Sequence, residues 1–325
     1  MRSVYYEVMV HSFVKVAKCN LSALSLLAQC GLITPMKFPF KNVALIGKHK
    51  SPEVAAPLLR LADFLSAQGL SVAVDSLTAE NLTGHPYPVM ALADMPQVAD
   101  LAIVMGGDGT MLNIARTFSP HHVPLIGVNQ GRLGFLTDLT LDNMLDSITA
   151  MLAGQFVTEK RLLLSARVMR NEVEVFSGLA FNEVVVHRSH ISSMIEFEVR
   201  IDGQYLYNQR ADGLIVATPT GSTAYAMSAG GPILHPGLDV LELVPICPHT
   251  LSNRPIVVNS ASVLEILMHR SHDIRVRLDS HTSFESQLND KIIVTRHPDY
   301  ACLLHPVGHS YYHTLREKLL WNQAL

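Results

Sequence analysis

The chain has 325 residues, of which 48% are apolar and 16% charged; that supplies a sizeable core, excludes an intrinsically disordered chain and sets a length prior of about two domains. Lys plus Arg (25) nearly balance Asp plus Glu (28), for a net charge of −3, and the lack of a polybasic block argues against nucleic acid or an anionic membrane as partner. Cys19, Cys30, Cys247 and Cys302 form no C-x-x-C pair, so neither a thiolate zinc site nor a disulfide framework is expected, and a reducing, cytoplasmic compartment fits.

The 16 histidines are scattered. His121–His122 and the spacing His187…His190 come with no matching carboxylate or thiolate pattern, so no metal site is read from them. The uncharged stretch over residues 21–36 is too short to span a bilayer, and no small-residue cleavage site follows it. Residues 1–35 are therefore read as an extension, with the first domain starting at Met36 (MKFPFKNVALIGKHK).

From Met36 strand and helix alternate. Residues 43–47 (VALIG) read as a buried strand. Ser51 and Pro52 open a helix as N-cap and first helical residue; Val54, Leu58, Leu61 and Leu65 recur at helical spacing, and Gly69 ends it. Residues 71–74 form the next strand, residues 75–95 a loop broken by Gly84, Pro86 and Pro88, and residues 100–105 a third strand. A helix follows to about Thr117, then a strand over 123–128. This alternation predicts a parallel sheet covered by helices. After a helix over about 141–153 the period changes to two: residues 165–176, 194–201 and 292–295 alternate apolar and polar, and Asp202-Gly203 marks a hairpin. The second half is thus β-rich, until residues 311–321 close the chain as an amphipathic helix.

Gly106, Gly107, Asp108, Gly109 and Thr110 sit between a strand and a helix. Glycines there let the backbone turn sharply and approach a phosphate closely, and the helix N-terminus favours an anion. A carboxylate at such a turn serves as a proton acceptor or acts through bound Mg²⁺; it equally serves as a helix cap in a purely structural turn. No G-x-x-x-x-G-K-[ST], no G-x-G-x-x-G in the first βα unit and no protein-kinase motif set is present.

G-G-D-G-T resembles the signature of NAD kinases, diacylglycerol and sphingosine kinases and, with Ser last, 6-phosphofructokinases. Four later blocks separate these: Asn129 to Leu136 (NQGRLGFL), Asn182 to Val185 (NEVV), Asp212 to Tyr225 (DGLIVATPTGSTAY) running into Ser228 to Pro232, and Pro248 to Pro255 (PHTLSNRP). Together they are similar to bacterial NAD kinases. The resemblance implies an α/β domain (residues 36–138 with about 301–325) binding nucleotide, a β-rich domain (139–300) binding NAD, and a C-terminal helix returning to the first domain. It implies ATP-dependent phosphorylation of the 2′-hydroxyl of the adenosine ribose of NAD to NADP, Mg²⁺ or another divalent ion carried by ATP, and a homodimer or homotetramer whose neighbouring subunit completes the site.

It also implies residue roles. Asp108 matches the catalytic aspartate, in a phosphate-binding turn of Gly106, Gly107, Gly109 and Thr110. Asn182 and Glu183 match dinucleotide contacts. Arg210 and Asp212 match positions near the nicotinamide, with a salt bridge as their ordinary alternative. Thr223, Ala224, Tyr225 and Ser228 match the stretch that holds the dinucleotide; Tyr225 offers a stacking face or is a core tyrosine, and Thr220 and Ser222 offer short hydroxyls for capping. The chain departs from the family in having Ser193, with His190 the nearest histidine, before Met194, and in His281 after Asp279-Ser280, where relatives often carry Gln. Two rivals are weighed: a lipid or sugar kinase, disfavoured by residues 212–225, and a non-catalytic nucleotide sensor, disfavoured by the intact Asp108.

Overall fold

A computed structural model of the chain describes residues 39–131, 133–189, 194–270, 274–279 and 281–321. The expected extension over residues 1–35, together with Arg132, His190, Ser193 and Ser280, lies outside them. The chain divides after Pro39, and every element below belongs to Phe40–Leu325.

The βα alternation is present. β1 (Asn42–Gly47) leads through a 3-10 turn at Pro52–Val54 into α1 (Ala55–Ala67). Pro52 opens the turn as expected, but the Ser51 side chain makes no capping bond. Leu58, Leu61 and Leu65 are buried on one face, and Gly69 follows at φ +82°, a left-handed stop. β2 (Ser71–Asp75) runs into a short α2 (Ser76–Ala79), which the loop reading of residues 75–95 overlooked. The cause is local: the Asp75 carboxylate accepts the Thr78 N–H at 3.0 Å and caps one turn. β3 (Val89–Met90), β4 (Leu101–Met105), α3 (Asp108–Phe118), β5 (Leu125–Asn129), β6 (Leu139–Thr140), α4 (Met144–Leu152) and β7 (Phe156–Arg161) complete the first half. Every residue of β4 and β5 is buried, as strands covered on both faces require.

The alternating run at 165–176 is two strands. β8 (Leu164–Arg170) and β9 (Val173–Ala180) are joined at Asn171 and Glu172, both at positive φ (50° and 62°), a primed hairpin turn with no glycine to announce it. β10 (Glu183–Arg188) follows; then β11 (Ile195–Ile201) and β12 (Gln204–Ala211) meet at the expected Asp202-Gly203 turn. β13 (Gly213–Ala217), α5 (Tyr225–Ser228), β14 (Val240–Ile246), β15 (Ile256–Asn259), β16 (Leu264–Arg270), β17 (Ile274–Leu278), β18 (Thr282–Ser286), β19 (Lys291–Arg296), β20 (Ala301–Pro306) and α6 (Tyr311–Leu319) end the described chain.

These strands form three sheets. The first has eight strands in the order β3-β2-β1-β4-β5-β20-β7, with β6 beside β5; β20 is parallel to β5 and β7 antiparallel to β20. Two six-stranded antiparallel sheets, β15-β14-β13-β10-β17-β18 and β12-β11-β16-β19-β8-β9, share one apolar core that includes Val184, Val216 and Val276 from one and Phe197, Ile266 and Val294 from the other. The closing helix returns to the first domain: Lys318 Nζ lies 5.9 Å from the ring centroid of Phe135.

Because strand residues alternate between faces, the inward set Val184 and Val186 leaves Glu183, Val185 and His187 on the opposite face of β10. There Val185, Ile215, Ala217 and Val244 pack on Ala226 of α5. That face carries the site.

Candidate active site

Asp108 is the first residue of α3, directly after the Gly107 N-cap. Its carboxylate accepts two backbone N–H groups, Phe135 at 2.9 Å and Leu136 at 3.0 Å. The N-Q-G-R-L-G-F-L block is therefore the loop that clasps Asp108. Gly134 is required at that spot, since a Cβ would lie 2.2 Å from Asp108 Oδ1 and 2.3 Å from Thr137 Oγ1. Gly106 is also packed, its Cβ position being 2.7 Å from Thr110 Oγ1. Around Gly107 and Gly109 no heavy atom of the described residues beyond the adjoining turn lies within 4 Å of an added Cβ, so the turn presents bare backbone, as a phosphate site needs.

Arg116, further along α3, donates to the Asp279 carboxylate and, at 3.2 Å, to Asn113 Oδ1. Asp279 is 4% exposed. It also accepts the N–H groups of Phe181 (3.0 Å), Asn182 (2.8 Å) and Glu183 (3.2 Å), while its own N–H donates to the Glu183 carbonyl at 2.9 Å. One buried carboxylate thus organises the N-E-V-V turn and links it to the helix that starts at Asp108.

The Thr218 to Ser222 turn packs on the same segment. Thr218 Oγ1 donates to the Phe181 carbonyl at 2.8 Å, and a Cβ on Gly221 would lie 2.2 Å from the Asn182 carbonyl oxygen, so glycine permits this close approach. Of the two hydroxyls expected here as caps, Ser222 Oγ bonds the turn, donating to the Pro219 carbonyl at 2.6 Å and accepting the Leu234 N–H at 2.9 Å, whereas Thr220 makes no capping bond and its Oγ1 accepts from Arg161 at 3.2 Å; Thr223 Oγ1 donates to the Thr220 carbonyl at 3.2 Å.

Beside this turn is a cavity of about 450 Å³ lined by Glu183, Val185, His187, Arg188, Asp212, Tyr225, Ile246, Arg277 and Asp279. Glu183, Asp212 and Tyr225, separated in sequence, are brought together here. Tyr225 is 44% exposed and presents its ring at the rim. Asp212 pairs with Arg188 at 2.9 Å. Arg210 does not share the cavity: it lies exposed on β12, opposite Glu196 in the other antiparallel sheet. Ser228 and His281 are exposed, and neither lines the cavity; Asn182 and Ala224 are half-buried.

The electrostatics of this face are unusual. Glu183 is buried, one of its oxygens lacks a partner among the described residues, and burial, reinforced by the charge of Asp279, pushes it up to about 8. Glu242 on β14 is wholly buried, both its oxygens lack a partner among the described residues, and burial pushes it up to about 7. The two share a face across one strand, since Glu183 pairs with Ala217 and Ala217 with Glu242. Burial lowers His187, whose Nδ1 lies 2.7 Å from the Arg188 carbonyl oxygen.

Reasoning from sequence missed Arg116, Asp279, Arg277 and Glu242. Asp279 stood beside a recognised position but was read only as its flank. Glu242 sits in an ordinary alternating strand, and nothing local marks its acid as buried.

The ATP-NAD kinase N-terminal domain model matches residues 43–156 and the ATP-NAD kinase C-terminal domain model residues 181–305. The chain belongs to the ATP-NAD kinase family. It is 58% identical over 286 residues to the NAD kinase of Nitrosomonas europaea, covering 88% of this chain and 97% of that protein, and 50% identical over 288 residues to that of Chromobacterium violaceum, covering 88% and 98%. Among solved structures, an NAD kinase from Archaeoglobus fulgidus in complex with ATP superposes with a TM-score of 0.66 at 25% identity, covering 85% of this chain and 99% of that one. Yeast NADH kinase complexed with NADH shares the fold, with a TM-score of 0.81 at 24% identity over 90% and 94% of the two chains. Family membership thus rests on both halves of the chain, and the clasped aspartate and the Asp279 hub lie within the matched segments.

Proposed function

We propose that Asp108 accepts the proton of the 2′-hydroxyl of the adenosine ribose of NAD as that oxygen attacks the terminal phosphorus of ATP, giving NADP and ADP. The chain is a phosphotransferase that phosphorylates NAD with ATP, in keeping with its relatives. The observation that carries the role of Asp108 is its setting, a carboxylate held by two backbone N–H groups beside the open backbone of Gly107 and Gly109. Each carboxylate oxygen has two lone pairs, so one per oxygen remains for the hydroxyl. A fixed acceptor in reach of a weak nucleophile supplies roughly 10²–10⁴ in rate.

ATP phosphates lie on the turn of Gly106, Gly107, Gly109 and Thr110, at the N-terminus of α3. The oxygen donors there, Asp108 and Thr110, and the space at Gly107 and Gly109 fit a hard divalent ion such as Mg²⁺ carried by the nucleotide. When bound, that ion offsets charge developing on the phosphate oxygens. NAD occupies the cavity. Asn182 and Glu183 take polar edges of the dinucleotide, and Tyr225 stacks on a base with Thr223, Ala224 and Ser228 beside it. Asp212 reaches the nicotinamide end, with Arg210 and His281 at the periphery. Residues 36–138 with about 301–325 act as the nucleotide-binding domain and 139–300 as the NAD-binding domain.

We assign the chain to the cytoplasm as a homodimer or homotetramer. Supporting this, Tyr225 at the cavity rim and Leu251 in the P-H-T-L-S-N-R-P segment are exposed at 44% and 98%, and Cys247 and Cys302 are free thiols. Among the described residues no helix is long and apolar enough to cross a membrane. Incubating the purified protein with ATP, Mg²⁺ and NAD tests the reaction: NADP is the expected product, and none under any divalent metal would overturn it.

A further inference from the structure

Away from the cavity, three segments remote in sequence converge. His305 on β20 is 2% exposed, and its Nδ1 bonds the Asp138 carboxylate. His309, just before α6, places its own Nδ1 3.2 Å from the same oxygen, Asp138 Oδ2. The two imidazole rings are stacked, 4.1 Å between centroids and 14° between planes. The other carboxylate oxygen, Asp138 Oδ1, is buried with no partner among the described residues. One nitrogen from each histidine and an oxygen of Asp138 lie within 4.8 Å of one another.

The far side of His305 is equally organised. Its Nε2 lies 2.9 Å from Glu159 on β7, and Glu159 is held by Arg161 at 2.8 Å. A metal-ligating imidazole characteristically donates its second ring N–H to a carboxylate, which fixes the tautomer and leaves the first nitrogen free to ligate. Glu159 does this for Nδ1 of His305. Both imidazole Nδ1 atoms converge on the one oxygen, Asp138 Oδ2, while Asp138 Oδ1 stays without a partner among the described residues. A divalent ion held by these three side chains would take the place of the His305 Nδ1 proton, accept both nitrogens as ligands and give the stranded Asp138 oxygen a partner.

We propose that Asp138, His305 and His309 bind one zinc-class divalent ion, with Glu159 orienting His305. Two nitrogens and one oxygen suit zinc or cobalt rather than the all-oxygen shell of Mg²⁺, which separates this ion from the one carried by ATP. Its role is positioning. Asp138 lies two residues beyond Leu136, whose N–H holds Asp108, so the ion ties the clasp of the reactive carboxylate to β20 and to the start of α6.

The test uses the full chain, stripped with a chelator and free of nucleotide, titrated with Co²⁺ and then Zn²⁺. We expect one equivalent of Co²⁺ to give the intense visible absorption of a tetrahedral site and Zn²⁺ to displace it. His309→Phe keeps the ring stack but removes the ligand, and abolishes that spectrum. Glu159→Gln weakens metal affinity about 10–100-fold. Only a pale octahedral cobalt spectrum, or equal affinity in wild type and both variants, would overturn the proposal, the bound ions then sitting on other histidines. Should His309→Phe fail to fold, the spectrum of the wild-type protein and the affinity of Glu159→Gln decide the matter.

Discussion

Arg116 and Asp279 form a buried ion pair that joins the helix beginning with Asp108 to the strand end that holds Glu183. The side chains are 11% and 1% exposed, and Asp279 accepts three backbone N–H groups besides. A carboxylate so placed both anchors a turn and pairs a guanidinium, and losing its charge affects both. Asp279→Asn keeps the shape and leaves Arg116 without its counter-charge. Breaking one partner of a buried pair costs about 3–5 kcal/mol. We expect urea unfolding to show a loss in that range and the KM for NAD to rise. Unchanged stability together with unchanged KM would mean the pair is incidental.

Asp108→Asn removes the proton acceptor. It also turns an amide N–H₂ toward one of the two backbone N–H groups at Phe135 and Leu136, which costs about 1–3 kcal/mol of stability. We expect kcat to drop about 10²–10⁴-fold in protein that still binds NAD, as read by steady-state kinetics and calorimetry. Near-normal turnover would leave Asp108 as a cap and nothing more.

Gly134→Ala tests the clasp without touching the carboxylate chemically. The new methyl would lie 2.2 Å from Asp108 Oδ1, so the side chain or the loop must shift. A misplacement of about 1 Å at a reacting group costs on the order of 10²-fold in rate. The expected result is folded protein by circular dichroism with kcat reduced to that degree. Full activity would show that the position of Asp108 is not set by this loop.

Glu183 and Glu242 make stability depend on pH. Both titrate near 4.5 in the unfolded chain, against about 8 and about 7 in the folded one. Below 4.5 both states hold their protons and no penalty arises. Above it the unfolded chain releases protons that the folded chain retains, so stability falls as pH rises, until the folded groups ionise near 7 and 8. Glu242→Gln stays neutral throughout, and we expect it to flatten this decline between about pH 5 and about pH 7 in urea unfolding. An identical slope in wild type and variant would rule out Glu242 as a source.

Much of the architecture was readable in the chain because it is locally encoded. The apolar run before Gly106, the glycine turn and the helical spacing after it define a strand, a turn and a helix within one continuous stretch, Leu101–Phe118. The two-residue period of β11 and the Asp202-Gly203 turn did the same for a hairpin. Where a local signal was weak the reading slipped: Asn171 and Glu172 adopt left-handed backbone without a glycine, so two strands looked like one. Motif similarity placed Asp108 and Glu183 in one enzyme family, but it attached Arg210 to a site whose cavity the side chain does not line.

Sequence alone determined the strongly patterned elements and the family motifs, since periodicity, turn residues and short signatures all act over a few neighbouring positions. Tertiary structure alone decided that Asp279 meets Arg116, that Glu242 is sealed from water, and that Asp138, His305 and His309 share one point. Each depends on which strands lie side by side. The insertion of β20 between β5 and β7 sets residues far apart in the chain in contact, and that neighbourhood follows from burying the apolar faces of whole elements together.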